Sequence, residues 1–460
     1  MTIQRWQREI RALWKVGGPL VVNFLAVAGM NFADAVMAGR LGAADLAAVA
    51  IGGSVWMLGF IFCIGFLMAL TPIISRHFGA GRPELIGRYT RQGFWLGQLL
   101  GMSVLLLVYI SIARAFEFIG IDIGFRDLAE GYVKAIYLGL PAMTVFLVLR
   151  FTSEGIGATR PIMYASLFSL VCNVFLNYVL MYGKFGAPAL GAVGCGLASA
   201  ITMWLMTIGL AIHILRHPRY QPLQIFSKVA PIRWDICREI IALGWPIMIT
   251  IGAESGLFSA ISILMGTLGV NVAAAHQIAL NFAATMFMVP LALSSAITVR
   301  VGHELGKGDA VAARFAGTVG IVFCAAFMSC AAIGMLLFRD QVVQLYTADT
   351  DVQAIAISLL LMAALFQIAD GVQIGAAGAL RGYKDTRVPM IINVFAYWVL
   401  GFPSAYLAAK VFALEPRHIW AAFVLALTVS AVMMTIRYRF FAARNVRESE
   451  MAERYGSDYP

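Results

Sequence analysis

The feature that most limits this chain is a succession of long apolar runs. They fall at 16–38, 46–72, 92–113, 132–152, 161–182, 191–215, 240–266, 272–298, 315–338, 353–378, 388–409 and 418–438. Each holds about 20 or more mostly apolar residues, the length at which a helix crosses the hydrocarbon core of a bilayer. Only 13% of the 460 residues are charged, where a soluble domain carries about a quarter. The runs are rich in Gly, Leu and Phe and show no sustained two-residue alternation, which argues for helices and against a β-barrel. The expected fold class is an all-α membrane protein with twelve transmembrane helices.

The charges that remain are unevenly placed. With twelve spans both termini lie on one side. The loops of the other side hold Arg40, Arg114, Arg126, Lys134, Lys184, Arg339, Lys410 and Arg417, leaving 26 of the 34 Lys and Arg residues on the side of the termini. Cytoplasmic loops carry such an excess, so both termini are expected in the cytoplasm. The net charge of +10 then reports orientation and not a nucleic-acid partner. The opening MTIQRWQREIRALW, with arginines at 5, 8 and 11, leads into a full-length span. It reads as a positive-inside anchor ahead of a surface amphipathic helix, and not as a cleavable signal peptide. The six cysteines, at 63, 172, 195, 237, 324 and 330, have no paired spacing and read as small apolar fillers.

The chain repeats itself at an offset of 227. Pro19 falls on Pro246, Gly29 on Gly256, Gly39 on Gly266, Gly79-Ala80-Gly81 on Gly306-Lys307-Gly308, and Thr159-Arg160 on Thr386-Arg387. Six spans per half is an even number, so both halves enter the membrane the same way as parallel repeats, with a substrate site expected at their interface. The expected organisation is a cytoplasmic segment 1–14, an N-terminal lobe 15–215, a linker 216–239 containing Arg216, Arg219, Lys228 and Arg233, a C-terminal lobe 240–441 and a cytoplasmic tail 442–460. GHELGKG at 302–308 lacks the spacing and the Ser or Thr of a phosphate loop and reads as a tight turn, like GAGR at 79–82. No nucleotide-hydrolysing or other catalytic grouping is visible, and the chain is expected not to be an enzyme. His213 and His217 have the i, i+4 spacing of a metal pair but sit beside Arg216 at a span end, where a basic interfacial cluster is the better reading.

Three acids lie well inside the spans: Asp34, Glu254 and Asp370. A charge at the bilayer centre costs at least about 2.5–3.5 kcal/mol, and a low dielectric disfavours the charged form of a carboxylate. An acid kept there is either an inert packing group or one that takes up and releases a proton or a cation. Under the 227 shift the three fall on Ile261, Val27 and Met143. The six-helix unit itself therefore does not require them, which favours a functional role. Asn173 and Asn177, four apart on one helix face, are candidate partners of Asp34, although interhelical hydrogen bonding explains them equally well. Gln277 and Asn281 are candidate partners of Glu254. Met37 and Phe287 are candidate cavity-lining residues, since Met and aromatic rings suit hydrophobic cations, although both types also face lipid. Glu154, between Arg150 and Arg160, reads as an interfacial ion-pairing residue.

These residues resemble the multidrug and toxic compound extrusion (MATE) family, in particular its NorM-type bacterial branch. The resemblance rests on FADAVMAGRLGAADLAAVAI (32–51), MYGKFGAPALGAVGCGLA (181–198), VAAAHQIALNF (272–282) and ADGVQIGAAGALRGYKDT (369–386), and extends over nearly the whole chain. It implies two six-helix lobes forming a V-shaped central cavity in the cell inner membrane. It also implies antiport, in which a Na⁺ or H⁺ gradient drives export of hydrophobic cationic drugs, with no other cofactor and a monomer as the working unit. Asp34 with Asn173 and Asn177 matches the family's first-helix acid, and Glu254 with Asp370 its C-lobe pair, for which the resemblance implies a Na⁺ site. Asp349 matches a further acid of some members, and Pro19 the proline at which the first helix bends in some structures. Phe287 stands where some members have Tyr and offers no hydroxyl, so a Na⁺ site must be completed otherwise. The alternative is a flippase of lipid-linked oligosaccharides, on a related fold. An anionic pyrophosphate calls for a cavity lined with arginines, and here the arginines lie at span ends.

Overall fold

The computed structural model describes residues 3–227 and 230–455, and all its regular elements are helical. The N-terminal half contains α1 (Ile3–Leu41), α2 (Ala43–Leu67), α3 (Leu70–Gly79), α4 (Pro83–Ile119), α5 (Ile123–Tyr137), α6 (Leu140–Gly155), α7 (Arg160–Tyr182) and α8 (Gly191–Arg216). The C-terminal half contains α9 (Trp234–Gly266), α10 (Val270–Gly306), α11 (Ala310–Leu337), a short α12 (Arg339–Tyr346), α13 (Thr350–Gly382), α14 (Arg387–Val394), α15 (Phe402–Tyr406) and α16 (Pro416–Tyr455). Two π-helical segments, Phe395–Gly401 and Leu407–Val411, flank α15.

Among the described residues, eleven helices are long and apolar enough to cross a membrane, and the pair α5–α6, bent by 43°, makes the twelfth. Pro141 opens α6 and has no N–H to continue the ladder of α5, which accounts for the break. The repeat is visible in the elements. The pairs α4/α11 and α7/α14 begin at Pro83/Ala310 and Arg160/Arg387, each 227 apart. Gly81 and Gly308 both take left-handed φ values, +67° and +85°, a conformation that favours glycine and closes the tight turns expected there.

The chain divides into two compact units whose limits differ from the expected lobes: Met1–Gly18, Ser75–Gly81 and Ile249–Pro460 form one, and Pro19–Ile74 and Arg82–Met248 the other. Besides the short excursion Ser75–Gly81, it passes from one to the other within α1 at Pro19 and within α9 after Met248, two residues beyond Pro246, the counterpart of Pro19. Residues 3–14, expected as a separate segment, are the first turns of α1. They pack within the first unit, where Trp6 meets Phe315 edge-on at 5.8 Å and Arg300 donates to both carboxylate oxygens of Glu9 at 2.8 and 2.9 Å. The tail from 442 continues α16 to Tyr455, and its last five residues lie outside the described ones, as does Lys228 of the linker.

In the first unit α13 is packed along its length by α10, α11 and α16. Small residues make this approach possible, as expected where lipid competes with any apolar contact. A Cβ on Gly378 would stand 2.5 Å from the Ser294 carbonyl oxygen, and one on Gly382 2.7 Å from Val301 Cβ. The space saved is used for hydrogen bonds: Ser294 donates to the Ile374 carbonyl at 2.8 Å and Thr298 to the Gly378 carbonyl at 2.7 Å. Farther along, Phe366, Trp420 and Phe423 form an aromatic core around His276, which accepts from Trp420 and bonds Ser262 at 2.9 Å.

In the second unit the linker lies along α4 and α6. Tyr220 donates to Ser153 at 3.0 Å, Arg219 to the Ile156 carbonyl at 2.6 Å, and Trp95 to the Ala230 carbonyl at 2.9 Å. Gln92 both donates to the Pro231 carbonyl and accepts from the Arg233 N–H, each at 2.8 Å. From Trp234 the chain is already α9, so the last six residues of the expected linker are helical.

Candidate functional site

Each unit holds one group of buried acids and amides. In the second unit Asp34 sits on α1, one helical face of which meets α7 and α8. It is 8% exposed. Its Oδ1 accepts from Asn177 at 2.5 Å and its Oδ2 from Ser199 at 3.3 Å. Asn173 donates to Ser199 and accepts from Asn177, both at 3.3 Å. The i, i+4 spacing of the two asparagines does put both on the face that meets Asp34. Ser199, and Cys195 one turn before it, were not singled out from the sequence. Their own four-residue spacing in GCGLAS was the signal, but it is the packing of α8 on α7 that gives it meaning. Met37 contributes its carbonyl, which accepts from Tyr182 at 2.9 Å. Among the described residues no cation pairs with Asp34.

The first unit holds Glu254 on α9 and Asp370 on α13. Glu254 is half-buried, whereas Asp370 is buried. Asp370 feels the charge of Glu254, and Glu254 that of Arg381, a buried arginine that donates to Ser294 at 2.5 Å. No hydrogen bond of Gln277 or Asn281 to either acid is seen among the described residues. Both are exposed on α10, and the contact recorded for Asn281 is through its carbonyl, which accepts from Thr285 at 2.9 Å. Tyr397 on the π-helical segment feels the charges of both acids, and Gln373 on α13 lies beside its hydroxyl. Phe287 is half-buried on α10.

Other sequence candidates have local roles. Asp349 caps α13, accepting from the N–H groups of Asp351 and Val352. Glu154, at the end of α6, is buried and pairs with Arg150 at 2.7 Å, while Arg150 also lies over the Phe24 ring. The rings of His213 and His217 are 5.1 Å apart, and His217 Nδ1 accepts from the Arg219 N–H, so part of that pair is used in holding the turn.

A helical membrane protein with two pseudo-repeated halves and isolated buried carboxylates has the build of a secondary transporter. The MatE family model matches residues 19–179 and 246–407, once in each half, and the chain belongs to this family of transporters. It is 41% identical to multidrug resistance protein PmpM of Pseudomonas aeruginosa, over 98% of this chain and 95% of that protein. It is 39% identical to multidrug resistance protein MdtK of Edwardsiella ictaluri, over 95% of this chain and 97% of that protein. Among solved structures, the eukaryotic MATE transporter AtDTX14 superposes with a TM-score of 0.86 at 22% identity, covering 96% of this chain and 99% of that one.

Proposed function

We propose that the chain is a multidrug exporter of the cell inner membrane, with both termini in the cytoplasm, that couples inward movement of Na⁺ or H⁺ to outward movement of hydrophobic cationic compounds by alternating access, working as a monomer. The relatives named as multidrug resistance proteins support export of drugs. The observation that carries the coupling is Asp34, a buried acid whose partners among the described residues are two asparagines, a serine and a cysteine, with no lysine or arginine. An acid ringed by neutral dipoles in low dielectric binds a passing cation strongly, because no resident counter-charge competes. Once neutralised by Na⁺ or H⁺ it no longer attracts a cationic drug, so the two ligands exclude each other. One inward charge carries about 2.3 kcal/mol per 100 mV, enough for more than a tenfold bias.

The anionic-lipid reading is disfavoured by the state of the buried arginines. Arg150 is already neutralised by Glu154 and stacked on Phe24, and Arg381 is hydrogen-bonded to Ser294. The test is ethidium efflux in a drug-sensitive host and in proteoliposomes with separately imposed Na⁺ and pH gradients. Asp34→Asn and Asp370→Asn are each expected to lower gradient-driven efflux at least tenfold at equal expression. Wild-type rates in both variants would remove the coupling role.

A further inference from the structure

The span from Arg387 to Val411 does not run as a plain α-helix. At Phe395 it widens into a π-helical turn that ends at Gly401. Such turns are rare, shift the register of every side chain that follows, and concentrate at functional sites. This one lays Trp398 against α9 and brings Tyr397 near the acid pair of its own unit. Trp398 donates its indole N–H to the Ala253 carbonyl at 3.1 Å, and a Cβ on Gly256 would come within 2.9 Å of the same ring. The turn thus grips α9 on either side of Glu254. Tyr397, one residue before, is fully buried. Its hydroxyl lies beside Gln373 and Ser430 and faces the charges of Glu254 and Asp370.

What distinguishes this place is the number of polar atoms without a partner. Among the described residues Asp370 Oδ1 and both amide atoms of Gln367 are buried and form no hydrogen bond, and the buried Tyr397 hydroxyl and Gln373 Oε1 have only each other and Ser430 at hand, without a well-aligned bond. Each such group is costly when left unpaired, so several on neighbouring helices are retained only where something else meets them. Gln367, Asp370 and Gln373 are spaced by three along α13 and form one stripe. The set belongs to this half alone. Under the 227 shift Gln367, Gln373, Tyr397 and Ser430 fall on Leu140, Phe146, Leu170 and Met203. The atoms are oxygens of two carboxylates, an amide and a hydroxyl, a hard donor set suited to an alkali cation and unsuited to a soft metal.

We infer that the π-helical turn brings the Tyr397 hydroxyl to the Glu254/Asp370 pair as a ligand of a bound Na⁺, with the Gln373 amide oxygen as a second neutral ligand, so that Tyr397 sets the ion affinity of this unit. This rests on the exporter reading and deepens it. It supplies the hydroxyl that Phe287 lacks, from another helix. Neutral oxygens let the site hold a dehydrated monovalent ion without a further negative charge.

The test uses the purified full-length protein in detergent, with Na⁺ binding followed by calorimetry. Wild type is expected to bind Na⁺ in preference to K⁺. Tyr397→Phe, which keeps the ring, is expected to weaken Na⁺ binding about tenfold or more without lowering the melting temperature. Gln373→Leu is expected to weaken it similarly and carries the test if Tyr397→Phe does not fold. A folded Tyr397→Phe protein binding Na⁺ as wild type does would overturn the inference, as would a wild type that binds no Na⁺. In the latter case, efflux that still depends on Asp370 under an imposed pH gradient leaves the exporter reading standing. Loss of that dependence under both gradients removes the exporter coupling as well.

Discussion

At the residue scale the protein is defined by how a few polar side chains are satisfied. Asn177 spends its amide N–H groups on Asp34 and Asn173, and Ser199 gives a longer bond to the other carboxylate oxygen. A hydrogen bond to a charged group contributes about 1.5–3 kcal/mol, and it weakens with length. Asn177→Ala is therefore expected to reduce the initial rate of ethidium efflux about tenfold, and Ser199→Ala by less than half that factor, measured at matched expression. Equal effects would mean that the 2.5 Å and 3.3 Å bonds do not rank as their lengths suggest. The asparagines were legible in the sequence because spacing on one helix is a local property. Ser199 was not, because its role depends on which turn of α8 meets Asp34.

At the element scale the spans were readable and their irregularities were not. Length and hydropathy locate a helix in lipid because each backbone group must be satisfied within the segment. They do not register a π-helical turn, which leaves hydropathy unchanged while burying Tyr397 and laying the exposed Trp398 against α9. The bend between α5 and α6 at least has Pro141 as a sign. The glycines of α13 were visible as residues, but their purpose appears only where α10 lies against them. Gly378→Val is expected to force the two helices apart, since its Cβ would meet the Ser294 carbonyl. Overpacking of this kind costs about 1–3 kcal/mol. The expected outcome is a lower melting temperature in detergent and a smaller folded yield. An unchanged melting temperature would show that the helices separate freely.

At the scale of the whole molecule, the 227-residue period and the excess of basic loops follow directly from the sequence. The orientation they predict is checked with C-terminal fusions. A green fluorescent protein fused after Pro460 is expected to fluoresce, and alkaline phosphatase at the same place to be inactive; the reverse would invert the topology. The compact units, however, are not the two halves of the repeat, because α1 and α9 each pass from one unit to the other near the equivalent prolines. By itself the sequence determined a twelve-span helical transporter with three isolated acids, since bilayer thickness and desolvation act on composition and local spacing. Only the tertiary structure decided which neutral groups stand beside those acids and which stretches of α1 and α9 belong to which unit. Those depend on helix rotation and close packing, which are set by contacts between residues far apart in the chain.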